Sequence, residues 1–346
     1  VSTDTTERSR ITESHFTTAA LFTLPVRLVI GWTYFSAFWR RVGIADKLDP
    51  NLPGYVGEKF NHFLPNALGI GPIIEYLLTH PALLAAAMTV FTIVEGIVGF
   101  CVIIGLFTRV MSVAILGLAF GILLSAGWLG TTCLDEWQIG ILGVACGLML
   151  FLSGGGRYSV DHVLSDRFPK LVQRKWLRWL TSGEISVPKP AVLAGSVAVL
   201  ALALFTNQHF HGGVYGPLHN KSVAPQIEIT DASIAGNSLQ FQVFRTEGAD
   251  VYGSFLIGVS VRDDTTGDTV IQLDGTQLSR LPEAAIANRY VAKVKPGAHS
   301  LVVPLGAKAQ LTIPTGKTRW DATHRYTLVL TDISGATWEQ AVSIGA

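Results

Sequence analysis

The chain has 346 residues, 49% of them apolar and only 15% charged, with a formal net charge of +1. Soluble domains carry about 25% charged residues, so an ordinary soluble protein is excluded for at least part of the chain. The near-neutral balance gives no reason to expect nucleic acid as a partner. The length allows two domains, and charge is divided unevenly along it. Between Pro81 and Phe151 the charged side chains are Glu95, Arg109, Asp135 and Glu136, whereas from Ala224 onward charges are frequent. A membrane half therefore precedes a soluble half.

The first sixteen residues are polar and of mixed charge. They lack the basic region and short apolar core of a cleavable signal. A bilayer core of about 30 Å needs roughly 20 apolar residues in a helix. Five segments are predicted to span it: 18–39, 82–107, 110–128, 137–152 and 191–205. The loop after the second carries Arg109, and the segment after the fourth carries Arg157, Arg167, Lys170, Arg174, Lys175, Arg178 and Lys189. An even number of spans separates the two, so they share a side, and their positive charge makes it cytoplasmic. The N-terminus is then inside a cytoplasmic membrane, and the C-terminal half is periplasmic or extracellular. Arg40 and Arg41 run against this bias.

Residues 42–80 hold four prolines and several aromatics and read as an external cap of short helices lying on the bundle. Residues 168–180 are amphipathic and basic, as in a helix lying in the headgroup plane. Beyond Asn207 the pattern changes to short alternating runs at 226–230, 239–244, 254–261, 269–273, 300–303, 310–313, 325–330 and 337–344. A turn signal at 263–268 joins two of them. This predicts an antiparallel β-sandwich. The expected organisation is a cytoplasmic tail over 1–17, a four-helix bundle over 18–164, a basic linker over 165–190, a fifth transmembrane helix over 191–206 and the β-sandwich over 207–346.

Arg27 and Glu95 each fall near the middle of an apolar helix, at similar depth. A charge there costs about 2.5–3.5 kcal/mol on permissive scales. A mutual ion pair facing the bundle interior is expected, serving either helix register or a relay to a bound quinone. A second cluster gathers Arg40, Arg41, Cys133, Asp135 and Glu136, with His80 at the start of the second span. Arginines suit a multi-oxygen anion, and a cysteine beside them gains thiolate character. Asp135 and Glu136 oppose that gain. They act either as proton acceptors or as charges on a helix N-terminus. Trp128 and Trp137 bracket the turn as interface aromatics or as stacking surfaces for a quinone ring.

Cys101 and Cys146 lie inside apolar runs and read as packing residues. Neither CxxC nor CxxCH occurs, and no metal site is evident. His209, His211 and His219 are close in sequence and leave metal handling as a lesser alternative, without an evident fourth ligand. The glycine run at 154–156 reads as a tight helix exit, with Arg109 and Arg157 as cytoplasmic anchors.

Three motifs join Arg27 and Glu95: Gly105-Leu-Phe-Thr-Arg109, Trp128-Leu-Gly-Thr-Thr-Cys-Leu-Asp-Glu-Trp137 and Gly154-Gly-Gly-Arg-Tyr-Ser-Val-Asp161. Together, over roughly residues 18–164, they resemble the DoxD family, the membrane subunit of thiosulfate:quinone oxidoreductase, related to DoxX proteins. The second half is similar to the partner subunit DoxA in architecture and order. The resemblance implies a natural DoxD–DoxA fusion. It implies oxidation of thiosulfate to tetrathionate with reduction of a membrane quinone of ubiquinone or menaquinone type, as a homo-oligomer or within a terminal oxidase complex. On that reading Cys133, Asp135 and Glu136 are catalytic. Arg40, Arg41 and His80 bind thiosulfate, and Arg27, Glu95, Trp128 and Trp137 contact the quinone. The alternative is a non-catalytic DoxX-like anchor or assembly subunit whose β-domain binds an external partner.

Overall fold

The structure, a computed structural model, describes residues 18–130, 135–168, 170, 174–180, 182–183, 185–250, 253–316 and 318–344. These form two compact units. The first takes the residues up to Val56, Ala85–Gly127 and Glu136–Leu218. The second takes Gly57–Leu84, residues 128–130 and the chain from His219.

The first unit is helical. Among the described residues, four helices are long and apolar enough to cross a membrane: α4 (Pro81–Ile104), α5 (Thr108–Ala126), α6 (Asp135–Ser153) and α9 (Lys189–Phe210). They match the last four expected spans. The first expected span is not one uninterrupted α-helix. Residues 18–22 are helical, Thr23 breaks the run, and α1 (Leu24–Phe38) follows with Pro25 in its first turn. Proline has no N–H to continue the ladder, so a break at its N-terminal side is natural. The 15 residues of α1 then pass into a π-helix, Trp39–Ile44, which carries Arg40 and Arg41. Glycine lets α1 and α4 approach closely. A Cβ on Gly31 would meet Gly99 O at 3.0 Å, and one on Gly99 would collide with the backbone of Phe35. Small residues serve helix packing in membranes in this way. Short helices α7 (Val160–Arg167) and α8 (Lys175–Leu180) lie between α6 and α9.

The second unit is built on β-strands: β1 (Gln226–Ala235), β2 (Ser238–Glu247), β3 (Ser254–Asp263), β4 (Thr269–Asp274), β5 (Ile286–Asn288), β6 (Lys295–Pro296), β7 (Leu301–Val303), β8 (Lys308–Pro314), β9 (Tyr326–Asp332) and β10 (Thr337–Ile344). All eight predicted runs are strands; the short β5 and β6 were not foreseen. The strand order is β5-β8-β2-β1-β10-β9-β3-β7-β6, with β4 also paired to β3. Every pair is antiparallel except β1 with β10. The strands thus form one continuous mixed sheet, close to a barrel, where a sandwich of two antiparallel sheets was expected. The reason lies in β1. Its pairing with β2 shifts between Thr230 and Ser233, around Asp231 at φ 53°, and Ser233 and Ile234 then pair with Ser343 and Ile344. A bulge bends and twists a strand, which lets one strand join both halves. Inward residues of both halves, such as Phe241, Val243, Leu311, Val259 and Leu328, share one buried core.

The short helices expected in the segment 42–80 are present. These, α2 (Glu58–Phe63) and α3 (Gly71–Leu78), belong to the unit of the β-strands. Asn61 is fully buried there. Its side chain accepts from Ala292 N and donates to Gly306 O, each at 3.0 Å. Gly306, at φ 69°, packs directly on the Asn61 carbonyl, leaving no room for a Cβ. Asn66 donates to Thr246 O at 3.0 Å, and Glu75 accepts from the Tyr290 hydroxyl at 2.6 Å. Lys59 pairs with Asp250 at 2.6 Å. Removing a buried partner strands polar groups at about 1–3 kcal/mol. Asn61→Ala is therefore expected to lower the unfolding free energy of this unit by about that amount, measured by chemical denaturation of the purified protein.

At the β3–β4 end, His324 Nδ1 lies 2.6 Å from Asp263 Oδ2. The hydrogen bond to Asp263 raises the imidazole pKa, and Asp263 itself sits below the usual carboxylate range. The raised His324 contributes stability in full below the ordinary value of about 6.5 and loses it as pH rises through the folded-state value. The lowered Asp263 contributes above about 3.9 and loses it as pH falls further. Unfolding midpoints followed from about pH 5 to 8 should fall with pH in the native chain, and His324→Ala should flatten that slope.

Candidate functional site

The first unit holds two clusters of buried charge. One is centred on Glu95, in the middle of α4. Glu95 is buried and pairs with Arg41, not with Arg27 as expected. The π-helix explains the exchange of partners. It adds a residue to the turn beyond α1, and such turns are frequent at functional sites. Arg41 also reaches Thr92 Oγ1 at 3.3 Å and lies over the Phe91 ring, 5.9 Å from its centroid. Its neighbour Arg40 is exposed and donates to Ser36 O at 3.3 Å. Tyr34 is buried on α1, and its hydroxyl packs against Gly143 of α6. The cluster thus offers a carboxylate able to hold a proton, one partly neutralised guanidinium and one exposed guanidinium.

The second cluster explains Arg27. Its guanidinium donates to Gly155 O and, at 2.5 Å, to Tyr158 O. Asp161 is the hub beside it. Asp161 is fully buried and accepts from Phe107 N at 2.7 Å, Thr108 N at 2.9 Å and Ser182 Oγ at 2.5 Å. A carboxylate at the N-terminus of α5 satisfies orphan N–H groups and complements the helix dipole. Phe107, at φ 50°, adopts the left-handed conformation that presents those N–H groups. Arg109, at the start of α5, is fully buried and donates to Phe151 O and Trp179 O at 3.1 Å each. Gly105 and Gly155 leave the room this packing needs, since a Cβ on either would meet Ser159. Asp161 closes the Gly154–Asp161 motif, but its role as a hub does not follow from that position alone. The available signal was Ser159, whose side chain caps α7 by accepting from His162 N at 3.1 Å, placing Asp161 in that helix's first turn.

Of the other expected site residues, Trp137 donates from Nε1 to Thr206 Oγ1 at 2.9 Å and so ties α6 to α9. Glu136 is partly exposed at the start of α6. Cys133 lies outside the described residues, as does the side chain of Asp135. Trp128 and His80 fall in the second unit. Trp128 is fully buried, with its indole N–H towards Phe63 O at 3.3 Å. His80 Nδ1 is 2.8 Å from Tyr76 O, and its ring lies 4.3 Å from that of Tyr76. His211 is buried with Nε2 2.9 Å from Gly127 O. Among the described residues no three histidines, cysteines or carboxylates converge as a metal site.

The second unit has its own buried charges. Arg245 donates to the carbonyls of Glu247 and Ala249 at 3.1 and 2.9 Å, and burial pushes its pKa down to about 10. His62 and Lys59 hold Asp250 well below the usual carboxylate range. Burial, then the bond to Glu75, pushes the Tyr290 phenol up.

Helices of lipid length with partnered internal charges, together with a unit built on a mixed β-sheet, mark a multi-pass membrane protein that carries a β-sheet module. Residues 22–188 match the family model for the TQO small subunit DoxD, and residues 210–341 match that for the TQO small subunit DoxA. The chain belongs to this family: it is a DoxD–DoxA fusion, with the two small-subunit domains of thiosulfate:quinone oxidoreductase in one polypeptide.

Losing the Asp161 carboxylate would leave Arg27 and Arg109 buried without it. Breaking a buried charge cluster from one side costs about 3–5 kcal/mol. Asp161→Ala should therefore lower thermal stability in detergent markedly. Asp161→Asn, which keeps one acceptor oxygen, should fall between that variant and the native chain.

Proposed function

We propose that this chain oxidises thiosulfate to tetrathionate and passes the two electrons to a membrane quinone. The observation that carries this reading is the pairing of both TQO small-subunit domains in one chain. The Arg40–Arg41–Glu95 group supports it chemically. Thiosulfate is a dianion with a trigonal set of oxygens, and guanidinium forks suit it. Arg40 is the exposed cation, and Arg41 beside it is held by Glu95. Protonation of Glu95 would release Arg41 for the anion.

Cys133 is proposed as the nucleophile. Its thiolate bonds to the sulfane sulfur of one thiosulfate, giving an S–S bond and two electrons. The quinone takes those electrons with two protons and becomes quinol. A second thiosulfate attacks the adduct's sulfane sulfur and expels the cysteine thiolate, so tetrathionate leaves and the thiolate is restored. Asp135 and Glu136, two and three residues beyond Cys133, hold protons close to this chemistry. The orientation that suits these steps has the N-terminus cytoplasmic and the β-domain outside, so substrate and product stay on the outer side.

Thiosulfate-dependent reduction of decylubiquinone by the full chain in lipid nanodiscs tests this. Arg40→Ala should raise the thiosulfate KM about tenfold, the order of one charge-assisted hydrogen bond. Cys133→Ser should abolish turnover. Full activity in Cys133→Ser removes the covalent step. No turnover by the native chain favours the alternative, an anchor subunit.

A further inference from the structure

The C-terminal end of α9 holds a feature that the steps above leave unused. The stretch 207–219, Asn-Gln-His-Phe-His-Gly-Gly-Val-Tyr-Gly-Pro-Leu-His, turns back on the helix that precedes it. Gly212, Gly213 and Gly216 have φ of 70°, 80° and 74°, conformations that L side chains rarely adopt. Gly212 bridges Leu218, and Gln208 Oε1 accepts from Tyr215 N at 3.0 Å. The result is an open groove of about 490 Å³ lined by Leu204, Phe205, Gln208, His209, Val214 and Tyr215. Its size falls within the roughly 300–1,000 Å³ of small-molecule sites.

The groove has a distinct chemistry. Its lining includes no lysine or arginine, which disfavours a phosphate headgroup. It has aromatic surface and one imidazole. His209 stacks on Phe205, with centroids 6.1 Å apart and planes 20° from parallel, and meets the edge of Phe210 at 5.2 Å. The neighbouring His211 is committed to Gly127 O, so the two histidines of His-Phe-His have separate roles. Below the groove, Leu193, Val197, Leu200 and Leu204 are exposed at a spacing that places them along one face of α9. A ligand with a planar, hydrogen-bonding head and a long apolar tail fits both parts.

We propose that this groove binds the ring of a membrane quinone, with His209 hydrogen-bonded to a ring carbonyl and the isoprenoid tail along the Leu193–Leu204 face. It deepens the reading that quinone is the electron acceptor and rests on it. It assigns quinone contact to α9, where sequence reading had suggested Arg27, Glu95, Trp128 and Trp137.

The test uses the full chain in nanodiscs and an azido-substituted short-chain ubiquinone, photolysed and mapped by peptide mass spectrometry. The label should fall within residues 204–215 and be competed by decylubiquinone. His209→Ala should raise the decylubiquinone KM about tenfold, leaving the thiosulfate KM and the thermal midpoint unchanged. His209→Gln, which keeps a donor, should recover part of the loss. Label on α1 or α4 alone, or an unchanged quinone KM in His209→Ala, would falsify the assignment. Competed label in the groove without thiosulfate turnover would uphold the site and sink the oxidoreductase reading. Turnover with label elsewhere would do the reverse.

Discussion

A charge inside an apolar helical bundle must find a partner or be excluded, and the membrane half is arranged around that requirement. Asp161 meets it at one cluster by gathering two backbone N–H groups and a serine hydroxyl. Arg27 meets it by donating to the loop carbonyls of Gly155 and Tyr158, between α6 and α7, and Arg109 by donating to Phe151 O and Trp179 O in the last turns of α6 and α8. Helix ends are the natural place for this, because their terminal backbone groups have no partner within the helix. The same contacts join α1, α5, α6, α7 and α8, so satisfying the charges and assembling this part of the bundle are one process.

Glu95 and Arg41 solve the same problem differently. They neutralise each other between α4 and the π-helix that continues α1. A pair of this kind stays convertible. One proton on the carboxylate leaves the guanidinium available to an anion, whereas Asp161 accepts from three donors and suits a permanent joint. That contrast is why the functional reading leans on Glu95 and Arg41, and the structural one on Asp161.

The β-domain has a comparable joint in Asn61. An amide has both donor and acceptor, so one side chain satisfies Gly306 O and Ala292 N together. The cap helices α2 and α3, which lie within the region matching DoxD, thereby belong to the same compact unit as the strands matching DoxA.

Much of the architecture was legible in the sequence because it depends on local pattern. Apolar runs of bilayer length marked the last four spans, and alternation of β-branched residues marked eight of the ten strands. The short β5 and β6 carry too few residues for a period to register. Partner choice was not legible. Equal depth in hydropathy suggested Arg27 with Glu95, but depth carries no information on which way a side chain points around its helix. The π-helix at Trp39–Ile44 changes that direction for Arg41, and nothing in Trp-Arg-Arg-Val-Gly-Ile announces it. Asp161, Asn61 and the curl of the sheet were likewise settled by groups far apart in the chain, such as Asn61 with Gly306 and Ser233 with Ser343. The sequence by itself determined which four helices are long and apolar enough to cross a bilayer and where most of the strands lie, because hydrophobic and pleat periodicities act over a few residues. Only the tertiary structure decided which buried polar groups meet, because each accepts whichever donor the packing of distant segments brings within about 3 Å.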